Sequence, residues 1–313
     1  ARSTTGNTTG EQPTTVSRLG FVGCGTIASA IVTGLCTLPP SNRPTKITLS
    51  PRNAKKAAAL ALQFPDIVTV AASNQEVVDC SDVVFLAVIP QIAKDVIPTM
   101  TFAKTQTIIS VIAALAIDDL VPLVHPVPAT QICRAIPLPA VAVHKGATII
   151  SQHSEAERIF NLLGTAIIAR DPKEFDVLMC ISCMMGPFYK TCDVLSNWFV
   201  NHGVAPTTAS SLTIAFHHTV LSEAEHRVQA VPSPKAFVEL VSEQTPGEWL
   251  LWVGCSPCLL FVAWLVVVFF FVSMCCWIRC MCVSCASCAS CASCVSCVSC
   301  VSCVSCVSCF VCF

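Results

Sequence analysis

Short, nearly continuous apolar runs recur through the first half of the chain, each followed by a polar turn and then by apolar residues at helical spacing. The first, Leu19-Gly20-Phe21-Val22, reads as a buried strand that passes through Gly23-Cys24-Gly25 into a small-residue helix from Thr26 to Leu35, closed by Pro39-Pro40. Lys46 to Leu49 is a second strand, followed by an Ala-rich helix from Asn53 to Phe64, and Val68 to Ala71 is a third. Ser73-Asn74-Gln75-Glu76 has the spacing of a capping box that opens the next helix. Val83 to Val88 and Thr107 to Ile112 are runs typical of strands covered on both faces, and Ile132 to Ile136 repeats the pattern. Ala147 to Ile150 leads to a second capping box at Ser154-Glu155-Ala156-Glu157, and Ala166 to Ala169 adds an edge strand. Strands alternating with helices at this spacing predict an α/β fold built on a doubly wound parallel sheet.

The pattern changes at Arg170-Asp171-Pro172. Beyond it the period is helical: one helix from Phe175 through Phe199, a second from Ala209 through Val228 and a third from Lys235 to Ser242. The expected organisation is a disordered leader over residues 1–17, an α/β domain over 18–170, an all-helical domain over 171–247 and a divergent tail over 248–313. Long apolar helices of this kind suit pairing with a second copy, so a homodimer is expected. The leader is rich in Thr, Gly and Ser and has no apolar run, which excludes a signal peptide. It starts at Ala rather than Met, so the true beginning is expected to lie upstream.

A formal net charge of -1 gives no basic footprint for nucleic acid. Of 23 cysteines, 16 lie from Cys255 onward, and the seven before them are scattered as reduced thiols of a cytoplasmic protein would be. Cys180-Ile181-Ser182-Cys183 has C-x-x-C spacing but no second pair, and is read as a coincidence on one helix rather than a metal or redox site.

The candidate chemistry sits at the glycine turn. Two glycines one residue apart let the backbone approach a ligand closely, and the helix that follows offers unpaired N–H groups to a pyrophosphate. At the end of the second strand, 25 residues past Gly25, stand Ser50-Pro51-Arg52. An acidic group there would accept from the 2'-hydroxyl of NAD; a hydroxyl and a guanidinium suit a 2'-phosphate, so NADP is expected in preference to NAD. The crevice should lie at the carboxyl ends of the strands, where Gly23, Ala87-Val88 and Ala113-Ala114 converge.

Several segments together resemble the pyrroline-5-carboxylate reductase family over residues 18–247: Gly20-Phe21-Val22-Gly23-Cys24-Gly25 with Ala28, Ala71 to Asn74 with Glu76, Leu86-Ala87-Val88 with Pro90-Gln91, Arg134 with Ile136-Pro137, Gly146-Ala147-Thr148, and Thr245-Pro246-Gly247. The resemblance implies a Rossmann-like cofactor domain followed by a helical dimerisation domain, and reduction of a small cyclic imine to proline with NAD(P)H. It implies phosphate contacts from Gly23, Cys24, Gly25, Thr26 and Ile27, 2'-phosphate contacts from Ser50 and Arg52, and an adenosine-side contact from Asn74. It places Ala87, Val88 and Pro90 on the nicotinamide side and Pro137, Thr245, Pro246 and Gly247 on the substrate side. A protonated imine accepts hydride readily, so the reaction needs alignment more than a general acid, and no catalytic residue is singled out.

Three departures from the family pattern fall on the substrate side: Ile89 stands where Lys is usual, Leu138-Pro139-Ala140 where Asn-Thr-Pro is common, and Cys183-Met184-Met185 ahead of Gly186-Pro187 where Ser and Gly are common. They keep open a reductase of another small oxo or hydroxy acid, for which Lys190 is the candidate catalytic lysine. After Gly247 the chain leaves the family pattern. Leu250 to Ile278 has no charged residue across 29 positions, long enough for a membrane helix of about 20 residues. Nine Val-Ser-Cys or Ala-Ser-Cys triplets then run from Val283 to Cys309. A three-residue period fits neither helix nor strand, and is what a short tandem repeat in a gene gives when translated. The tail is therefore read as non-native sequence; were it expressed, it would make the chain a membrane-tethered or metal-binding protein with a degenerate reductase domain.

Overall fold

The computed structural model describes residues 18–230 and 233–244, and the chain divides between Ser182 and Cys183 into two compact units. The first unit alternates strands and helices: β1 (Leu19–Val22), α1 (Thr26–Cys36), β2 (Ile47–Leu49), α2 (Ala54–Gln63), β3 (Val68–Val70), α3 (Asn74–Asp79), β4 (Val83–Leu86), α4 (Pro90–Val96), β5 (Thr107–Ser110), α5 (Ile117–Leu120), β6 (Ile132–Ile136), β7 (Gly146–Ser151), α6 (Ser154–Leu162), β8 (Gly164–Ala169) and α7 (Pro172–Met179). Its eight strands form one sheet in the order β3-β2-β1-β4-β5-β6-β7-β8. The strands from β3 across to β6 are parallel, as their apolar runs predict.

Both faces of the sheet are covered because successive side chains of a strand point to opposite sides. Phe21, Phe85, Ile109 and Cys133 join α1 and α6 in one core, while Val22, Val84, Leu86 and Ile108 join α3, α4 and α5 in the other. Phe21 and Phe85 stack at 4.5 Å across the β1–β4 pair, and Phe160 of α6 meets Phe85 edge-on at 6.4 Å. Each such fully buried aromatic or aliphatic side chain contributes roughly 1.5–3 kcal/mol.

The sheet departs from all-parallel at one place. β7 runs antiparallel to β6, and β8 pairs parallel with β7 as the outer edge strand. Only residues 137–145 connect β6 to β7, whereas a crossover to a parallel neighbour takes about a dozen residues or more. The two expected capping boxes also differ in detail. Ser73 Oγ accepts from Glu76 N at 3.1 Å, but the Glu76 carboxylate accepts from Ala72 N one residue upstream of the cap. At α6 the cap is His153, whose ring nitrogen accepts from Ala156 N, and Ser154 is the first helical residue.

The second unit holds α8 (Met185–Asn201), α9 (Pro206–Ala230) and α10 (Lys235–Gln244). The helix expected from Phe175 through Phe199 is broken by a 3-10 turn over Cys180–Met184, which carries both cysteines of the C-x-x-C spacing. Pro187 explains the break, since it has no N–H to give back and fits only the first turn of a new helix. Within this unit Ser196 Oγ donates to Thr213 Oγ1 at 3.0 Å, tying α8 to α9. Leu212, Ile214, Phe216, Val220 and Leu221 of α9 are exposed. No helix among the described residues is long and apolar enough to cross a membrane, and the apolar stretch 250–278 and the triplets lie outside the described residues.

Burial pushes the Cys36 thiol up to about 12 and the Cys133 thiol up to about 11, while Cys180 is exposed. A thiol reagent at pH 8 is therefore expected to modify Cys180 in the folded chain and to reach Cys36 and Cys133 only after denaturant, as peptide mapping by mass spectrometry would read. Because the folded chain holds these two protons above the ordinary thiol value of 9.0, the folded state binds more protons than the unfolded one. Stability is then lost as pH rises from 9.0 through about 11 and 12.

Candidate functional site

The glycine turn lies where β1 ends beside β4. Ala87 N donates to Val22 O at 2.8 Å, and Gly23 follows with φ +99. A Cβ on Gly23 would lie 2.5 Å from Ala87 O and 3.1 Å from Val88 N, so the turn and the end of β4 are in direct contact, as the crevice reading requires. Gly25 caps α1 with ordinary backbone angles, and a Cβ there would meet no protein atom within 4 Å. No side chain caps this helix start, and its first turn carries no acidic residue, leaving amide donors and a positive dipole end for an anion. Of the residues around them, Cys24 is buried, Thr26 is exposed, and Ile27 packs partly into the core.

Ser50 and Asn74 come together at the end of β2. Ser50 is buried, its N–H donates to Phe21 O, and its Oγ donates to Asn74 Oδ1 at 2.7 Å. Arg52 is exposed two residues on. Asn53 caps α2 by accepting from Lys56 N, and Lys56 Nζ reaches α1, where it donates to Thr26 Oγ1 at 3.1 Å. Lys56 was not singled out from the sequence: two adjacent lysines opening an Ala-rich helix look like any solvated helix start, and only the packing of α2 beside α1 gives one of them a target.

On the other side of the turn, Ala87 and Val88 are half-buried, each packed against one of the two cores. Ile89 caps α4 and is exposed, and Pro90 is its first helical residue. Pro137 is buried just past the end of β6. Ala113 is held through its carbonyl, which accepts from Arg134 Nη2 at 3.1 Å. Thr245, Pro246 and Gly247 lie outside the described residues. Lys190 is on α8, paired with Asp193 at 2.6 Å. That ion pair and an Asn197 amide hold the Asp193 carboxyl below the usual carboxylate range.

A cavity of about 260 Å³ opens near Arg134, lined among others by Asp118, Thr130, Gln152, Asp171 and Asp176. Its buried guanidinium is already engaged by Asp176 at 3.1 Å and lies 4.2 Å from the Phe175 ring centroid. The surrounding acids make it a poor anion site. This is a packing feature of the first unit, in which β6 is anchored to α7.

A mostly parallel sheet in this order, with a glycine turn between its first strand and first helix, defines a Rossmann-type α/β fold. Residues 18–114 match the family model described as NADP oxidoreductase coenzyme F420-dependent. The chain is 31% identical over 210 residues to pyrroline-5-carboxylate reductase of Pisum sativum, covering 72% of that protein and 62% of this chain. It belongs to the pyrroline-5-carboxylate reductase family. The Escherichia coli enzyme of the same name is 30% identical over 166 residues, and the chain spans only 60% of its length. Among solved structures, a Plasmodium falciparum pyrroline carboxylate reductase with NADP bound superposes with a TM-score of 0.63 at 18% identity, covering 82% of this chain and 97% of that one.

Proposed function

We propose that the chain is an NADPH-dependent reductase that transfers hydride to a small cyclic imine of the pyrroline-5-carboxylate type. The observation that carries this reading is the contact of Gly23 with Ala87-Val88, beside an open Gly25 and an uncapped α1. NADPH fits the residues present. Gly25 leaves room for a phosphate against the helix amides; Ser50 and Arg52 offer a donor and a cation to a 2'-phosphate, and no carboxylate stands between them. As the side chains stand, the single Ser50 hydroxyl proton goes to Asn74 Oδ1, so the hydroxyl turns from that amide to donate to a 2'-phosphate. The cofactor, when bound, supplies the hydride. The chain's own work is to hold the nicotinamide against Ala87, Val88 and Pro90 and to keep the imine carbon in line with it, with Pro137 on the substrate side.

Two features temper the substrate rather than the chemistry. Ile89 is 60% exposed at the start of α4, so the usual lysine there is replaced by an apolar side chain facing solvent. Leu138 is half-buried where an amide is common in the family. A site with these changes favours a less polar imine than the family's usual substrate. We assign cofactor binding to residues 18–170 and pairing of two copies to α8, α9 and α10, supported by the exposed apolar side chains of α9. Unpaired buried thiols such as Cys36 and Cys133 agree with a reducing, cytoplasmic setting.

The test is NADPH and NADH binding by the full chain, followed by NADPH oxidation with a panel of cyclic imines. NADPH is expected to bind at least tenfold more tightly than NADH, and Arg52→Gln to remove most of that preference by weakening NADPH alone. A charge-assisted phosphate contact is worth roughly 1.5–3 kcal/mol, or about tenfold or more. Equal affinity for the two nucleotides in the unchanged protein would reject the NADPH preference, and oxidation with keto acids but not imines would favour the oxo-acid alternative.

A further inference from the structure

The crevice runs across the carboxyl ends of β2, β1, β4 and β5 in that order, because these strands are parallel neighbours. With the adenosine end at Ser50 after β2 and the pyrophosphate over the glycine turn after β1, the nicotinamide end of a dinucleotide falls over β4 and β5. The floor there is Ala87-Val88 and the segment 111–116. Val111 N donates to Leu86 O at 3.0 Å, so the segment leaves the sheet directly beside Ala87. Its next bonds are local: Ile112 N donates to Ser110 Oγ at 3.3 Å, Leu115 N to Ile112 O at 3.2 Å and Ala116 N to Asp119 Oδ2 at 3.2 Å. Ala113 and Ala114 are exposed. The bond that ties them to another element comes from Arg134, whose Cα pairs with that of Ser110 across β5 and β6 and whose Nη2 donates to Ala113 O at 3.1 Å. The other arm of the same guanidinium donates to Asp176 of α7.

We propose that Arg134 is a positioning residue of the reductase site: through the Ala113 carbonyl it fixes the segment 111–116 under the nicotinamide end of the crevice, with α7 as the fixed point. This rests on the reading of the crevice as an NADPH site and adds a residue that touches neither cofactor nor substrate. A buried ion pair contributes little stability beyond that of apolar side chains of the same volume, and here Nε is also left without a partner, so stability alone does not account for the arrangement. What a guanidinium supplies and an apolar side chain does not is direction. It is a planar fork, and with one arm held by a carboxylate the other meets the carbonyl in a single orientation. A drift of about 1 Å in this floor would take the nicotinamide out of line with the imine carbon, which hydride transfer feels as lost rate more than as lost cofactor affinity.

The experiment compares the full chain, unchanged and as Arg134→Met, by hydrogen exchange without nucleotide and by turnover of NADPH with a cyclic imine. In the variant the amides of 111–116 are expected to exchange about tenfold faster relative to those of β1 and β4, which report only the global loss of stability. The kcat is expected to fall about tenfold or more, while the Kd for 2'-phospho-ADP-ribose, the cofactor without its nicotinamide, stays within about twofold. Should Arg134→Met not fold, Arg134→Lys is read in the same way, since it keeps a cation beside Asp176 and loses the second arm of the fork. Exchange at 111–116 that rises no more than at β1 and β4, an unchanged kcat, or an equal loss of affinity for 2'-phospho-ADP-ribose would each overturn the assignment. Failure of the unchanged protein to bind NADPH is a different result, which overturns the NADPH reading and the role of Arg134 with it.

Discussion

Replacing Gly23 with Ala is expected to destabilise the folded chain by about 3 kcal/mol and to abolish NADPH binding, whereas Gly25→Ala should leave stability within about 0.5 kcal/mol and still weaken NADPH tenfold or more. The two glycines differ in what surrounds them. Gly23 has φ +99, a region side chains rarely adopt, and its missing Cβ would sit 2.5 Å from the carbonyl oxygen of Ala87. That neighbour is backbone at the end of a buried strand, with Ala87 N bonded to Val22 O, so it cannot retreat without opening the β1–β4 pairing. Gly25 has φ -84, and no protein atom within 4 Å opposes a Cβ. A methyl group there costs the fold almost nothing and fills the approach to the helix amides. Urea unfolding and fluorescence titration with NADPH read the two effects separately. Gly25→Ala binding NADPH as tightly as the unchanged chain would show that the phosphate does not enter over this turn.

Much of this site is legible in the sequence because it depends on local geometry. A buried strand, a glycine turn and a small-residue helix specify their own arrangement, and the apolar runs at Val83 and Thr107 place the neighbouring strands by burial alone. Residues that act by reaching across elements are not legible in the same way. The bond from Ser50 to Asn74 joins side chains 24 residues apart, and that from Lys56 to Thr26 joins side chains 30 apart. Of the first pair, Ser50 is marked by its place at the end of the second strand and Asn74 by the family resemblance; the second pair carried no signal until α2 was seen beside α1. The direction of β7 followed from connection length rather than from the strand's own pattern, which reads alike in either direction. The break at Cys180–Met184 was marked by Gly186-Pro187, but apolar spacing that continues on both sides of the proline concealed it. At α6, Ser154 is the better capping residue by type, yet the ring of His153 holds the position, because the fold starts the helix one place earlier, at Ser154 itself.

Removing Asp176 is expected to harm the fold more than removing its partner Arg134. Arg134 is the buried member: its side chain is 6% exposed against 51% for Asp176. The guanidinium has Asp176 at 3.1 Å from Nη1, the Ala113 carbonyl at 3.1 Å from Nη2 and the Phe175 ring beneath it, while Nε has no partner. Asp176→Ala leaves this charge out of water with only dipoles and a ring face to compensate it, at an expected cost of about 3 kcal/mol. Arg134→Met takes the charge away, keeps much of the stem's contact with Phe175, and leaves Asp176 half in solvent, where a carboxylate needs no partner. Its expected cost is about 1 kcal/mol. The double variant should then resemble Arg134→Met alone, because without the cation the loss of Asp176 has nothing left to expose. Urea midpoints of the three variants decide it. If Arg134→Met were the more damaging single change, the guanidinium would be holding β6 and Ala113 by packing and its carbonyl bond, and the ion pair to α7 would be incidental.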